Sequence, residues 1–535
     1  MITRFLSRAW VAAFAATMLA APPSGQSARR SRSADAPTLI VFITVDQMRA
    51  DYFERFLPQL SGGLGRLYRG GAVFTNAYQD HAITETAPGH SVTMSGRFPV
   101  HTGIVTNTLG VPDPQAPLIG GGGPGASPFR FRGTTLIDWL RMNDPRSRAL
   151  SVSRKDRGAI LPLGRAHQNA FWYASDGRFT TSRYYADTLP MWVQRFNARQ
   201  IPQSYAGKVW QPLLPLSQYP EPDSVQWENY GTNYVFPHPF PAEPAQAARL
   251  FAEFPSMDSL TAQLALEGVN ALELGRGPQT DVLAVSLSTT DAVGHRYGPD
   301  SRELHDQIVR LDRYLGIFID SLYKIRDSSR IAFALTADHG VAPYPELRAA
   351  REHVPVLRAD LTPTVAAANA RLIRAGADSD AIRIEEGIVT LNRASAQRAG
   401  VKPDSLIAAL ASALSKVQGV ARVDRPQELA RRDTTRDDVA RRWLHMLPVD
   451  YPADLVVSLA PYAYYASVEV ATHGTPNDYD AHVPVIFFGP WFTPGKYAAR
   501  ALVADMAPTL AAIAGVRPAE RLDGRARLEA IRARP

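Results

Sequence analysis

The chain of 535 residues contains no cysteine. This absence excludes disulfides, thiolate metal sites and cysteine nucleophiles, so any bound metal must be held by carboxylates and imidazoles. Lysine is also scarce, because only six of the 58 basic residues are lysines. No basic run with interleaved aromatic residues occurs, and we therefore expect no nucleic-acid partner.

Long hydrophobic runs are missing except near the N-terminus. There, Arg4 and Arg8 precede an apolar stretch from Trp10 to Ala21 that contains many small residues. This arrangement is typical of a signal peptide, to which we assign residues 1–26. The stretch is too short to span a bilayer comfortably, and no other run of roughly 20 apolar residues occurs. The sequence predicts export to the periplasm or the medium, with no stable membrane span after cleavage; an uncleaved anchor is the alternative.

The overall composition is that of a globular protein with a sizeable core. Apolar residues make up 45% of the chain and charged residues 20%, which excludes a disordered or fibrous protein. The net charge of +7 has two interpretations. It reflects either an arginine-rich solvated surface or a field that attracts an anionic substrate.

Four apolar, β-branched runs predict strands that are buried on both faces. Helical patterns lie between some of them, for instance over residues 301–325, and a final helix is predicted over 501–516. Strands and helices in this order predict an α/β fold, with a mostly parallel central sheet and helices on both faces. The four predicted strand runs are 38–46, 281–291, 330–338 and 483–489.

Two stretches interrupt this pattern. Residues 185–245 are rich in Pro, Tyr and Trp and predict a long irregular excursion. Residues 345–470 carry short helix and strand patterns, which predict a smaller α+β insertion or cap. We therefore divide the chain after the signal peptide into a first part of the core at 37–344, the insertion at 345–470 and the C-terminal part of the core at 471–535.

Three of the predicted strand runs end in an aspartate. These residues are Asp46, Asp291 and Asp338. Ligands of open parallel sheets bind outside the carboxyl ends of the strands, so the three carboxylates are expected to converge on one edge. A single aspartate at a strand end is more often a helix cap or turn residue. Three of them together favour a binding site.

Histidines near these aspartates indicate a metal site. Asp291 and His295 are four residues apart, so one helical turn would place them on the same face. His339 directly follows Asp338, and either His473 or His482 could complete a set. Imidazoles with carboxylates and no sulfur suit zinc with open coordination positions, and two such sets suggest a two-metal centre.

A candidate nucleophile precedes the segment "APGHSV". Thr86 stands two residues before Pro88, and proline is favoured in the first turn of a helix. The Thr86 hydroxyl is therefore expected at the N-cap or just before it, where backbone N–H groups and the helix dipole favour anions. The alternative is an ordinary helix cap. Beside two metal ions we favour the nucleophile.

These motifs closely resemble the alkaline phosphatase superfamily over nearly the whole chain after the signal peptide. The resemblance is to the phosphate-irrepressible bacterial alkaline phosphatases that use a threonine nucleophile, which are related to the nucleotide pyrophosphatases/phosphodiesterases. It is carried by "TVDQMRADYF", "TAPGHSVTMSGRFPVHTGIVTN", "SRKDRGAI", "TDAVGHRYGP", "TADHG" and "THGTPNDYDAHVP". The resemblance implies an alkaline phosphatase-like fold.

It also implies a ligand set for two Zn²⁺ ions per chain. Asp46, Asp338, His339 and the Thr86 oxygen would hold one zinc. The second zinc would be held by Asp291, His295 and His473. His473 is preferred to His482 because "THG" matches the last ligand motif of the family.

Three further residues match the substrate side of this branch. Asn107 matches an asparagine that contacts a phosphoryl oxygen, and Lys155 and Arg157 match a pair of cations placed over the transferred group. As residues i and i+2 of an extended segment, Lys155 and Arg157 would point the same way. Two cations and two zinc ions suit a phosphate monoester, whose terminal group carries nearly two negative charges.

The implied protein is an exported, zinc-dependent, monomeric phosphatase that hydrolyses small phosphate monoesters through a phosphothreonine intermediate. The nearest alternative is a phosphodiesterase or nucleotide pyrophosphatase of the same superfamily. A non-catalytic anion- or metal-binding protein and an envelope protein that docks a partner through the 345–470 insertion are further alternatives. The sulfatase branch is disfavoured, because sulfatases need an oxidised cysteine or serine nucleophile in a different motif, and the sequence has no cysteine and no serine substitute for it.

Overall fold

The structure is a computed structural model that describes residues 36–121, 123–468 and 470–533. The predicted signal peptide at 1–26 lies outside the described residues. Across the ranges that are described, no helix combines the length and the apolar character needed to cross a membrane.

The strands of the described residues vary from two to seven residues in length. In chain order they are β1 (Leu39–Val45), β2 (Ala72–Phe74), β3 (Ala77–Tyr78), β4 (Ala149–Ser153), β5 (Asn169–Tyr173), β6 (Phe179–Thr180), β7 (Val209–Trp210), β8 (His238–Pro239), β9 (Asp281–Leu287), β10 (Ile331–Thr336), β11 (Arg358–Ala359), β12 (Ile382–Glu385), β13 (Ile388–Leu391), β14 (Val420–Asp424), β15 (Leu455–Leu459), β16 (Tyr464–Tyr465), β17 (Val485–Phe488), β18 (Gly495–Tyr497) and β19 (Ala501–Leu502).

The α-helices of the same residues include two long ones, α9 and α11, and many short ones. In chain order they are α1 (Asp51–Phe56), α2 (Gly63–Gly70), α3 (Thr86–Thr93), α4 (Pro99–Thr102), α5 (Leu136–Asn143), α6 (Asp156–Ile160), α7 (Met191–Asn197), α8 (Pro244–Leu250), α9 (Ser256–Ala271), α10 (Thr289–Tyr297), α11 (Arg302–Ile325), α12 (Pro345–Glu352), α13 (Thr362–Arg374), α14 (Arg393–Arg398), α15 (Pro403–Leu414), α16 (Pro426–Leu429), α17 (Asp438–Leu444), α18 (Asp478–Ala481) and α19 (Met506–Ala514).

One nine-stranded sheet forms the centre of the molecule, in the order β18-β2-β17-β10-β1-β9-β4-β5-β6. Strands β10, β1, β9, β4 and β5 are parallel neighbours. Every residue of β1, β9 and β10 is buried, as expected of strands covered on both faces. The predicted α/β fold with a mostly parallel sheet is confirmed.

Strand β17 differs from the parallel strands around it. It runs antiparallel to β10, and its first residue, Val485, pairs with Thr336 at the carboxyl end of β10. The chain therefore approaches β17 from the edge where the parallel strands end. As a consequence, residues shortly before β17 lie at the same edge of the sheet as the residues that follow β1 and β10.

Two predicted boundaries are corrected by the structure. The strand predicted over 281–291 ends at Leu287, and Asp291 lies inside helix α10, because the Ser and Thr residues that follow Leu287 favour a helix start. The helix predicted over 501–516 begins only at Met506. Ala501 and Leu502, the first two residues of the predicted helix, form β19 instead, and this strand pairs with β3.

The residues between 345 and 470 contain a separate small sheet. Its four strands are antiparallel neighbours in the order β12-β13-β15-β14. Side chains of this sheet and of helices α13 and α15 form an apolar cluster of their own, which includes Val365, Leu372, Leu410 and Val457. The exact limits of the insertion, 345 and 470, stay a prediction.

Helix α10 is anchored at its start by a buried carboxylate from α9. Asp258 Oδ1 accepts a hydrogen bond from the Thr289 backbone N–H at 3.1 Å. Its Oδ2 accepts from Gln307 Nε2 of α11 at 2.8 Å. Because α10 carries Asp291 and His295, Asp258 fixes the position of both.

We expect Asp258→Ala to lower the free energy of unfolding by about 2 kcal/mol, because it leaves the buried Thr289 N–H and one N–H of the buried Gln307 amide without an acceptor. Urea unfolding followed by circular dichroism measures the change. Ser259→Ala on the same helix removes a hydroxyl that accepts an exposed hydrogen bond from Gln263 and should shift stability by less than about 0.5 kcal/mol. Equal effects of the two substitutions would contradict the anchoring role of Asp258.

Candidate metal centre

The three aspartates converge at one edge of the central sheet. Strand β1 pairs in parallel with β9 and β10, with Thr44 opposite both Ser286 and Thr336. Asp46 directly follows β1, and Asp338 lies two residues after β10. Asp291 comes from the first turn of α10, shortly after β9. The sheet therefore brings carboxylates from distant parts of the chain together at its carboxyl edge.

Asp46, Asp338 and His339 form the first group of possible ligands. Each of the three is fully buried, and one donor atom from each lies within 4.8 Å of the others. His339 Nε2 is 3.5 Å from Asp46 Oδ1 and 3.7 Å from Asp338 Oδ2. These are three of the four ligands that the resemblance implies for one zinc, and the Thr86 oxygen is the fourth.

The second group of possible ligands consists of Asp291, His339 and His473, with one donor atom from each within 4.8 Å of the others. The predicted ligand His295 lies beside it, with Nε2 3.3 Å from Asp291 Oδ1 and 3.2 Å from His473 Nε2. The structure thus places the three predicted residues of the second set together and adds His339 between the two sets. His482, the other histidine considered, lies elsewhere: its Nε2 is 3.0 Å from the Thr75 carbonyl.

Backbone carbonyls fix the orientation of all three imidazoles. The Nδ1 atoms of His295, His339 and His473 lie 2.6, 2.9 and 2.8 Å from the carbonyl oxygens of Ala471, Gly340 and Thr84. A carbonyl can only accept, so each Nδ1 carries the proton and donates it. In the neutral ring the Nε2 lone pair then points towards the carboxylates, which is how metal-binding histidines are held.

Two buried ligand atoms that face each other have no hydrogen-bond partner within the described part of the chain. Asp46 Oδ1 and His339 Nε2 are buried and face each other as two acceptors. Burial, together with Asp291 and Asp338, raises the pKa of Asp46 to about 6. A cation between the groups would satisfy the orphaned atoms and offset the repulsion. The residues present therefore fit a divalent metal centre.

The charges of the other ligands agree with this fit. Burial opposes ionisation of Asp338, but His339 and His90 hold the pKa of this carboxyl below its ordinary value. Lys155 and His295 have the same effect on the pKa of Asp291. Burial, His339 and His295 lower the pKa of His473, which keeps its ring neutral and able to donate a lone pair.

The sequence predicts Thr86 at the N-cap of α3 or just before it, and the structure corrects this: Glu85 is the N-cap, and Thr86 is the first residue of the helix. The Thr86 side chain is buried, and its Oγ1 accepts a hydrogen bond from Lys155 Nζ at 3.0 Å. Lys155 Nζ also lies 2.7 Å from Asp46 Oδ2 and from Asp291 Oδ2. The candidate nucleophile is therefore in reach of both ligand groups.

The extended segment predicted for Lys155 and Arg157 is corrected by the structure, because only Lys155 has extended backbone angles. Lys155 is the N-cap residue of α6, and Arg157 is in the first turn of that helix. The difference arises because the acidic Asp156 starts a helix here, as acidic residues at a helix N-terminus commonly do. Arg157 Nη1 lies 3.6 Å from Asp156 Oδ1. Lys155 Nζ instead contacts the candidate metal ligands Asp46 and Asp291.

Asn107 is fixed against the start of α3. Its Oδ1 accepts from the Ala87 N–H at 2.8 Å, which leaves its Nδ2 group as the donor for another partner. The Asn107 backbone N–H donates in turn to Glu85 Oε2 at 2.8 Å. These two bonds hold the predicted substrate contact beside the predicted nucleophile.

A cavity of about 860 Å³ opens at this edge of the sheet. Asn107, His295 and His473 line it on the side of the metal groups. The opposite wall comes from the 345–470 region, with Glu385 and Tyr465 among its residues. A small molecule bound in the cavity would therefore contact both the candidate centre and the predicted insertion.

Sequence reasoning missed several residues that contact the ligands, and His90 and Arg154 are two of them. His90, one turn after Thr86, has Nδ1 3.1 Å from Asp338 Oδ2 and Nε2 2.9 Å from Ser286 Oγ. Arg154 has Nη2 3.5 Å from Asp291 Oδ2. The four-residue spacing from Thr86 could have identified His90, since it places both on one helical face.

Comparison with known proteins identifies related sequences over most of the chain. Residues 40–443 match the family described as type I phosphodiesterase / nucleotide pyrophosphatase. Alkaline phosphatase PhoV of Synechococcus elongatus is 32% identical, over 89% of this chain and 90% of its own. A Myroides odoratus protein named calcium-transporting ATPase is 30% identical, over 90% of this chain and 92% of its own.

Alkaline phosphatase PafA of Elizabethkingia meningoseptica is also 30% identical, over 91% of this chain and 93% of its own. The crystal structure of wild-type PafA superposes with a TM-score of 0.84. That match covers 93% of this chain and 99% of the PafA chain at 28% identity. The similarity in fold thus extends over both the central sheet and the 345–470 region.

We expect removal of divalent metal with a chelator to lower the Tm and re-addition to restore it, because bound metal stabilises the folded state by mass action. Bound metal raises the free energy of unfolding by about 2.7 kcal/mol per site when the metal concentration is 100 times Kd. His339→Ala removes a group shared by both ligand sets and should abolish the change in Tm on chelation. His482→Ala should retain this change in Tm. A wild-type Tm that is insensitive to chelation would contradict a metal centre.

Proposed function

We propose a catalytic function from the premise that the chain belongs to the type I phosphodiesterase / nucleotide pyrophosphatase family, which it matches over residues 40–443. The resemblance of its motifs to the alkaline phosphatase superfamily is confirmed, and the chain is an alkaline phosphatase of this superfamily. In our proposal it is exported, monomeric and zinc-dependent, and it hydrolyses small phosphate monoesters through a phosphothreonine intermediate.

The observation that carries the proposal is the position of Lys155 Nζ. One ammonium group contacts the Thr86 hydroxyl and one aspartate of each ligand group. A nucleophile, a cation for the phosphoryl oxygens and two sets of metal ligands thus share one buried site. An enzyme that transfers a phosphoryl group needs these parts together.

Asp46, Asp338, His339 and the Thr86 oxygen would hold one zinc, and Asp291, His295 and His473 the other. Carboxylate and imidazole ligands with open positions favour zinc at a hydrolytic site. When bound, the two ions act as Lewis acids that ease loss of the hydroxyl proton and neutralise charge on the attacking and leaving oxygens.

Thr86 acts as the nucleophile in this mechanism. Its Oγ1 forms a bond to phosphorus while the bond from phosphorus to the leaving alcohol oxygen breaks, and the hydroxyl proton passes through solvent to the alcohol. Water then attacks phosphorus, the bond from phosphorus to Thr86 Oγ1 breaks, one proton of the water passes to Oγ1 to restore the hydroxyl, and inorganic phosphate is released. The N-terminus of α3 stabilises the negative charge at this position throughout.

Lys155 and Asn107 provide the preference for a monoester. The Lys155 ammonium and the Asn107 Nδ2 group can both bond to non-bridging phosphoryl oxygens, and their effect is largest where charge accumulates in the transition state. A monoester carries about one more negative charge than a diester. A diester also needs room for a second substituent. These two facts favour the phosphatase over the phosphodiesterase or nucleotide pyrophosphatase alternative.

Thr86→Ala should reduce turnover of an aryl phosphate to near the background rate, because no other hydroxyl takes its place, while the zinc content measured by atomic absorption persists. Thr86→Ser, which keeps a hydroxyl, should retain measurable turnover. Undiminished turnover of the alanine variant would refute the role of Thr86. Loss of zinc together with turnover would mean that Thr86 acts only as a ligand.

Lys155→Ala should lower kcat/KM for an aryl phosphate by about 10²-fold or more, the effect of losing one donor to the transition-state charge. The loss for the corresponding methyl diester should be smaller, because the diester carries less charge. Steady-state kinetics on both substrates gives the ratio. A wild-type preference for the diester would favour the phosphodiesterase alternative and overturn our choice.

A further inference from the structure

Gln47 is a buried residue that contacts ligands of both metal groups. It directly follows Asp46 in the chain and is fully buried. Its backbone N–H donates to Asp338 Oδ1 at 3.1 Å. Its side-chain Nε2 donates to Asp291 Oδ1, also at 3.1 Å. One residue therefore bonds a carboxylate from the first ligand group with its main chain and a carboxylate from the second with its side chain.

The conformation of Gln47 is unfavourable in two respects. Its φ of +65° lies in the left-handed region, which side chains other than glycine adopt with strain. In addition, its Oε1 is buried and has no hydrogen-bond partner among the described residues, although buried acceptors are normally satisfied. Glycine at this position would remove both penalties. Glutamine at this position must therefore provide a benefit that offsets the backbone strain and the unpaired oxygen.

Helix α10 makes room for the Gln47 amide at one specific position. Gly294 lies between the predicted ligands Asp291 and His295, and a Cβ added to it would overlap Gln47 Oε1. The three nearest atoms that such a Cβ would meet all belong to Gln47. The missing side chain of Gly294 thus accommodates the amide of Gln47.

We propose that Gln47 is a positioning residue that holds Asp291 and Asp338 in the orientation needed for metal binding. An amide is a neutral donor, so it fixes the rotation of the Asp291 carboxylate and leaves the full negative charge for the cation. Residues that hold metal ligands in this way commonly change metal affinity by about 10- to 100-fold when they are replaced. The inference rests on the proposed function, because it takes Asp291 and Asp338 as ligands.

The first test is Gln47→Gly, measured without metal and with zinc. In the metal-free protein the Tm should stay the same or rise, because the strained conformation and the orphaned oxygen are both removed. Zinc affinity, measured by competition with a chromophoric chelator, should fall by about tenfold or more. A Tm that falls with unchanged zinc affinity would mean that Gln47 has a structural role only, and would overturn the inference.

Gln200→Gly is the matched control. Gln200 is also a glutamine with positive φ, at +47°, but it is exposed at the end of α7. This substitution should leave zinc affinity unchanged. Equal losses of affinity in the two variants would show that the effect of Gln47→Gly arises from general backbone flexibility.

A double-mutant cycle with Gly294→Ala gives an independent test. Alone, Gly294→Ala should push the Gln47 amide away from Asp291 and lower zinc affinity by a similar factor. In the Gln47→Gly background it should have little further effect, because the group it collides with is gone. Fully additive losses would overturn the inference.

Zinc binding by the wild-type protein separates this inference from the proposed function. A wild type that binds no zinc would contradict the proposed metal centre itself. A wild type that binds zinc as tightly as Gln47→Gly would leave the centre intact and overturn only the role of Gln47.

Discussion

The repulsion among Asp46, Asp291 and Asp338 is the constraint on which the rest of the site depends. The central sheet brings the three carboxylates to one buried edge, where water cannot screen their charges. The ammonium group of Lys155 and several backbone N–H donors reduce that cost, whereas the three imidazoles direct lone pairs at the carboxylates and add to it. A site built in this way is poorly compensated by the protein alone and well compensated by cations, which is the physical basis for assigning it to metal.

The orientation of the imidazoles is as important as their presence. Each donates Nδ1–H to a backbone carbonyl, and those carbonyls belong to residues 84, 340 and 471. The main chain therefore selects the tautomer, and the side chain contributes only the lone pair. Asn107 shows the same principle on the substrate side, since the Ala87 N–H occupies its carbonyl and the amide nitrogen remains as a donor.

The sequence predicts most of this arrangement because strands that end in aspartate are visible without coordinates. The order of the motifs predicts the α/β sheet, and the convergence of Asp46 and Asp338 follows from two parallel neighbours. The antiparallel direction of β17 was not predictable, because a buried apolar run reads the same in both directions. The end of β9 at Leu287 and the helical position of Arg157 depended on local capping, which competes closely with extended structure. The contacts of Gln47 were hidden because they depend on one backbone angle and on a space left by a distant glycine.

The antiparallel entry into β17 has a consequence for the order in which the protein can become active. The candidate ligands span residues 46 to 473, and the last of them reaches the site only through the segment that leads into β17. As the chain emerges from the ribosome, the proposed nucleophile Thr86 and the first aspartate appear early, but no complete set of candidate ligands exists until nearly nine-tenths of the chain has been made. A nascent or prematurely terminated chain therefore contains the proposed nucleophile without the full set of groups that would activate it.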